Sequence, residues 1–124
     1  MRLLIDSHTL IWWAEASPAL GAAGRDAIVD PANEPLVSIA ALWELAINVS
    51  SGKLTLPDDP ETMLTKLGFS VLSIDFPHLR RISSLPRAHR DPFDRMMIAQ
   101  ALAESMPIVT RDRIFASYGV QIIL

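Results

Sequence analysis

Four carboxylates stand where an acidic side chain is costly or conspicuous. Asp6 ends an apolar run, Glu44 interrupts an otherwise apolar helix pattern, Asp94 shares the core-facing side of another helix, and Asp112 follows a late strand. Each has a plain explanation when taken alone. Asp6 and Asp112 suit helix caps, Asp94 complements the positive end of a helix dipole, and Glu44 would be satisfied by a buried salt bridge to an arginine. Gathered together with no lysine or arginine among them, the same acids repel one another, and something cationic must complete the site. Oxygen donors in a chain without cysteine favour Mg²⁺ or Mn²⁺ over zinc. His8, His78 and His89 lack a zinc-type spacing and read as polar surface residues or as supports for the acids. A carboxylate-held Mg²⁺ orients a phosphate, activates water and stabilises developing charge, which is the chemistry of phosphodiester hydrolysis.

The elements that must position these acids follow from hydrophobic patterning and stop signals. Arg2 to Ile5 predicts a buried strand, after which Asp6 or Ser7 caps a helix carrying Leu10, Ile11, Trp12 and Trp13. Both tryptophans read as packing residues. Ser17-Pro18 makes a loop, and a second helix around Gly21 to Val29 is stopped by Asp30-Pro31. Leu36 to Ser38 is a brief strand, with Ser38 capping a helix from Ile39 to about Val49. That helix is apolar all round, which predicts burial, and Glu44 is its only charge. Ser51-Gly52-Lys53 ends it, and the next helix starts near Asp58 or Asp59. A strand over Phe69 to Ile74 and a helix including Leu79 and Ile82 come next.

The helix from Pro92 to about Ser105 has Asp91 as its N-cap and proline in the favoured first position. Met97, Ile98, Ala101 and Leu102 lie on the same side of it as Asp94. Pro107 to Thr110 and Val120 to Ile122 complete the strands. Strands alternating with helices imply an α/β chain with a mostly parallel sheet covered on both faces. Ligands of such sheets bind beyond the carboxyl ends of the strands. Asp6 and Asp112 occupy that rim, and the helices bearing Glu44 and Asp94 run back from it.

A chain of 124 residues, half of them hydrophobic, is read as one domain, 1–124, large enough for a real core. Asp6 and Glu44 break the apolar runs well short of bilayer length, so no membrane span is expected, and Met1 to Ala16 makes a poor signal peptide. The lack of cysteine suits a reducing, cytoplasmic setting. The net charge of −3 does not advertise a nucleic-acid binder. Even so, Arg80, Arg81, Arg87, Arg90 and Arg95 cluster in one segment, with Arg111 and Arg113 beyond; they read either as a phosphate track or as solvated helix faces.

Leu-Ile-Asp6-Ser-His, Trp43-Glu44, Asp91-Pro-Phe-Asp94-Arg-Met-Met-Ile-Ala and Thr110-Arg-Asp112-Arg-Ile-Phe stand in the order of the PIN-domain motifs. The chain resembles that family along essentially its whole length, and within it the VapC-type toxins of toxin–antitoxin pairs. The resemblance implies a three-layer α/β/α sandwich and a Mg²⁺-dependent endoribonuclease that cleaves cellular RNA. It makes Asp6, Glu44, Asp94 and Asp112 the metal-binding acids. Asp91 is an additional acid that joins them or only caps its helix, and Ser7 and Thr110 match positions where a hydroxyl supports the acids. It also implies a VapB-like antitoxin and a homodimer, and Arg87 and Arg90 become candidates for contact with the RNA backbone. Two rivals stay open at this point. One is a phosphoryl-transfer hydrolase with Asp6 as nucleophile; the other is a PIN-like binding module without chemistry.

Overall fold

The computed structural model describes residues 1–86 and 91–124. Strand β1, Arg2–Ile5, carries Leu3, Leu4 and Ile5, all fully buried, as expected for a central strand covered on both faces. β2 is Glu34–Ser38, β3 Ser70–Leu72, β4 Ile108–Val109 and β5 Ile122–Ile123. They form one five-stranded sheet in the order β3-β2-β1-β4-β5, and every pairing is parallel. The helices are α1 Ser7–Ala14, α2 Ala22–Val29, α3 Ile39–Ser50, α4 Pro60–Leu67, α5 Phe76–Ile82 and α6 Pro92–Glu104. They flank the sheet in a three-layer α/β/α sandwich. A 3-10 helix, Arg113–Tyr118, precedes β5.

The strand order fixes where a site is to be sought. From β1 the chain moves outward to β2 and β3, then returns past β1 to place β4 and β5 on its other side. The order therefore reverses between β1 and β4, and the crevice at their carboxyl ends is the binding position of an open parallel sheet. Register places Ile5 beside Val109, so Asp6 and Thr110 leave the sheet side by side. Tight packing under this crevice depends on Gly24 of α2, where a Cβ would lie 2.9 Å from Val109 Cγ1. The core is continuous across the sheet, from Leu10, Leu45 and Met63 to Met97, Ile98 and Phe115.

Several elements differ from the sequence reading. Helix α3 is not a buried helix: Ile39, Trp43, Ile47 and Val49 are exposed, Trp43 to 60%, while Ala40, Ala41 and Leu45 face the core. The strand expected over Phe69 to Ile74 pairs only at Ser70–Leu72, and the last strand lies at Ile122–Ile123 with Val120 buried ahead of it.

His78 is neither a surface residue nor a support for the acids. It is fully buried, its Nδ1 accepts the Asp75 backbone N–H at 3.0 Å, and its Nε2 meets Glu104 Oε2 at 3.0 Å. An acceptor Nδ1 leaves the ring proton on Nε2, so the neutral imidazole donates to the carboxylate. Arg2 meets the other oxygen of Glu104 at 2.9 Å. The triad thus ties the starts of β1 and α5 to the end of α6, at the sheet edge opposite the crevice.

Hydrogen bonding from Arg2, and then from His78, holds the Glu104 carboxyl below its ordinary value of 4.5. A depressed carboxyl contributes stability above the ordinary carboxylate range and loses it as pH falls through the lowered folded value. Glu104→Gln is therefore expected to lower the melting temperature by about 3 °C at neutral pH, a modest figure because the pair is partly solvated. That gap should close as the buffer is taken from about pH 5 to about pH 3. Thermal melts of both proteins across that range check it, and a gap that persists in acid assigns the loss to packing instead.

Candidate active site

Asp6 follows β1 directly and is the N-cap of α1, which explains why an acid ends the strand. Its Oδ1 accepts the Thr9 N–H at 2.7 Å, and its Oδ2 accepts the hydroxyl of Thr110. The Thr110 oxygen in turn accepts the backbone N–H of Asp112 at 3.0 Å. One hydroxyl thus pins both strand ends across the β1–β4 crevice. Thr9, fully buried, adds a second pin by donating its hydroxyl to Val109 O at 3.0 Å. Asp112 caps the 3-10 helix, its Oδ1 accepting the Ile114 N–H at 3.1 Å, and its side chain remains exposed.

Asp6 and Asp112 line one cavity of about 280 Å³ together with His8, Trp12 and Arg111. Glu44 lies half-buried in the second turn of α3 and accepts the Ser7 hydroxyl at 2.7 Å. That bond attaches it to the residue next to Asp6. The salt bridge considered for Glu44 does not occur among the described residues. Asp94 is half-buried in the first turn of α6. The residues just before these two acids, Trp43 and Phe93, meet edge to face with ring centroids 5.2 Å apart, so α3 and α6 present Glu44 and Asp94 from adjoining positions. Asp91 caps α6, and one of its oxygens takes both the Phe93 and the Asp94 N–H groups.

Among the described residues no three His, Cys, Asp or Glu side chains converge closely enough to hold a metal ion as a group. The acids surround the rim rather than filling one coordination sphere. Arg87, Arg90 and His89 lie outside the described residues.

The sequence marks Trp12 as a packing residue and His8 as a polar surface or supporting residue, and the structure places both in the lining of the cavity. The available signal was their spacing: positions 8 and 12 lie one turn apart on a helix whose cap is Asp6. Trp12 also packs against the core, so its packing role holds for part of the ring.

A family model for the PIN domain matches residues 3–121. The chain belongs to the PIN-domain family. Ribonuclease VapC22 of Mycobacterium tuberculosis is 29% identical over 119 residues, covering 94% of this chain and 91% of that protein. Among solved structures, VapBC2 from Rickettsia felis, bound to a DNA fragment from its promoter, superposes with a TM-score of 0.71. Its identity is 15%, with 98% of this chain and 97% of that chain covered. FitAcB from Neisseria gonorrhoeae superposes with a TM-score of 0.63 at 20% identity, covering 98% of this chain and 96% of that one.

The donor chemistry of this PIN domain suits a hard divalent cation. Mg²⁺ is commonly held by one or two carboxylates, with waters and substrate phosphate completing its shell. Asp6 and Asp112 supply such a pair on one cavity, and no cysteine thiolate is available in the chain. Each Asp6 oxygen has one hydrogen-bond donor and keeps a lone pair for a further contact.

Proposed function

We propose that this VapC-like PIN domain is an endoribonuclease, the toxin of a toxin–antitoxin pair, and that it works with Mg²⁺ or Mn²⁺. The observation that carries this reading is the pairing of Asp6 and Asp112 on one cavity, braced by Thr110, at the crevice where the strand order reverses. Asp6 and Asp112 would hold the metal directly, and Asp94 and Glu44, on the rim beside them, would reach it through its bound waters, with Glu44 orienting the attacking water as a base. Bound there, the metal would polarise the scissile phosphate and lower the pKa of a coordinated water. Thr110 keeps Asp6 and Asp112 from drifting apart, and Ser7 fixes the direction of Glu44. Arg87 and Arg90 are proposed to draw in the RNA backbone, Asp91 to join the acids or to serve as a cap alone, and a VapB-like antitoxin to silence the enzyme. Cytoplasmic location and a homodimer belong to the same proposal; no helix among the described residues is long and apolar enough to cross a membrane.

Asp6 as a covalent nucleophile would want a second acid two residues on, where this chain has His8. A binding module without chemistry would commonly lack one or more of the acids, and all four are present.

The purified chain should cleave total RNA when Mg²⁺ or Mn²⁺ is added and stop in excess EDTA. Mapping the product ends then gives the cut position. Cleavage that continues undiminished in excess chelator would sink the metal mechanism, and an accumulating phospho-aspartate would restore the nucleophile reading.

A further inference from the structure

We propose that the cavity beside Asp6 and Asp112 seats one unpaired nucleobase, stacked on Trp12 and His8, with the adjoining phosphate drawn in by Arg111. This rests on the ribonuclease reading for its substrate, but its physical basis is separate. His8 and Trp12 lie one turn apart on α1, with ring centroids 6.0 Å apart and planes inclined by 36°. They make an aromatic wall for the cavity whose acidic side is Asp6 and Asp112. At about 280 Å³ the space falls just below the roughly 300–1,000 Å³ of sites for drug-sized ligands, so it suits a single ring system and not a run of nucleotides.

Charge points the same way. Two carboxylates alone would repel a polyanion, and among the described residues Arg111 is the one arginine or lysine in the lining. Its guanidinium rests over Gly21, where a Cβ would lie 2.6 Å from Arg111 Nη1 and would also strike the Leu124 carbonyl. Glycine at the α2 cap therefore leaves the room that this arginine occupies beside the acids. Aromatic stacking accepts any base face, whereas a base held in a duplex offers none. The expected consequence is a strong preference for single-stranded RNA at the cut, with only weak base preference next to it.

The test is a cycle between Trp12 and the base. Binding of a labelled short single-stranded oligoribonucleotide is followed by fluorescence anisotropy on an Asp94→Asn background, which leaves the strand intact under the ribonuclease reading. Trp12→Leu should weaken binding about 10- to 100-fold and Trp12→Phe should restore most of it, with melting followed alongside because part of the ring packs on the core. An abasic position is then scanned through the strand. At one position the penalty of Trp12→Leu should vanish, because the partner of the ring is gone. A penalty that persists at every abasic position makes Trp12 a structural residue and overturns the seat, as does the absence of any penalty on the intact strand. The ribonuclease reading fails separately, if the unaltered chain binds with the expected cycle but cuts no RNA with Mg²⁺ or Mn²⁺. A chain that neither binds nor cuts overturns both.

Discussion

Asp112→Asn is expected to reduce RNA cleavage by about two to three orders of magnitude while leaving the metal-free protein within about 2 °C of its original melting point. The two effects separate because, under the proposed reading, the carboxylate would do two jobs of different chemical kind. As a cap it needs only an oxygen for the Ile114 N–H, and an asparagine carbonyl supplies one. As a metal ligand it needs negative charge, and losing several kcal/mol of charge stabilisation at the reacting phosphate corresponds to a factor of about ten for each 1.4 kcal/mol. Its exposed side chain adds no burial term to the stability change. Cleavage rates and melting in EDTA, measured on the same preparations, check both halves. Retained cleavage would remove Asp112 from the metal set, and a large drop in melting would make the cap its main role. Asp6 is the poorer probe. Asp6→Asn would place an amide against the Thr110 hydroxyl, which already donates to Asp6 and accepts from the Asp112 N–H, so activity and local structure would change together.

Asp6, Asp91 and Asp112 were placeable from the sequence because each performs a local task with a known signature. Asp6, Asp91 and Asp112 are caps, and caps sit where elements begin. A strand of four residues ending in Asp6, and a later one ending before Asp112, were enough to place both at one sheet edge once the chain alternated strand and helix. What the sequence did not disclose depends on neighbours distant in the chain. The apolar surround of α3 predicts burial wrongly because composition reports how hydrophobic a helix is, not what covers it. Among the described residues the core covers one side, with Ala40, Ala41 and Leu45, and Ile39, Trp43 and Ile47 stay exposed. His78 was unreadable for a related reason. Its two partners are the backbone of Asp75, three residues back, and Glu104, distant in sequence, and no spacing announces the second. The 3-10 helix of six residues is too short for an apolar period to mark it. Trp12 was half-read, since a ring that packs on the core and also walls a cavity carries the same apolar signal in either role.

Trp43→Ala is expected to weaken binding of the proposed antitoxin at least about 30-fold, the loss of 2 kcal/mol or more that marks a central aromatic at an interface. Ile39, Trp43 and Ile47 recur every four residues on α3 at 42%, 60% and 42% exposure, a ridge that the described residues leave open apart from the contact of Trp43 with Phe93. Beside it, Ile39, Leu42, Leu64, Phe69 and Val71 line a groove of about 450 Å³ between α3, α4 and the β3 edge. Ridge and groove together suit the apolar face of a helix laid along α3, read at i, i+4 and i+8. Glu61 on the groove, and Asp59 on the neighbouring hollow, favour basic residues flanking that helix. Of the three tryptophans only Trp43 stands largely free, because Trp12 and Trp13 are partly buried against the core. Trp43 meets Phe93 edge on, just ahead of Asp94, so a partner gripping this ring would sit against the acidic rim and exclude RNA from it. The isolated chain should lose little stability, since that edge contact contributes only about 0.5–1.5 kcal/mol. Titration of the antitoxin against both proteins, with cleavage followed in parallel, measures affinity and inhibition together. If affinity is unchanged while Trp43→Ala turns a dimeric chain monomeric, the ridge belongs to a second copy of this protein, and the antitoxin must hold the enzyme elsewhere.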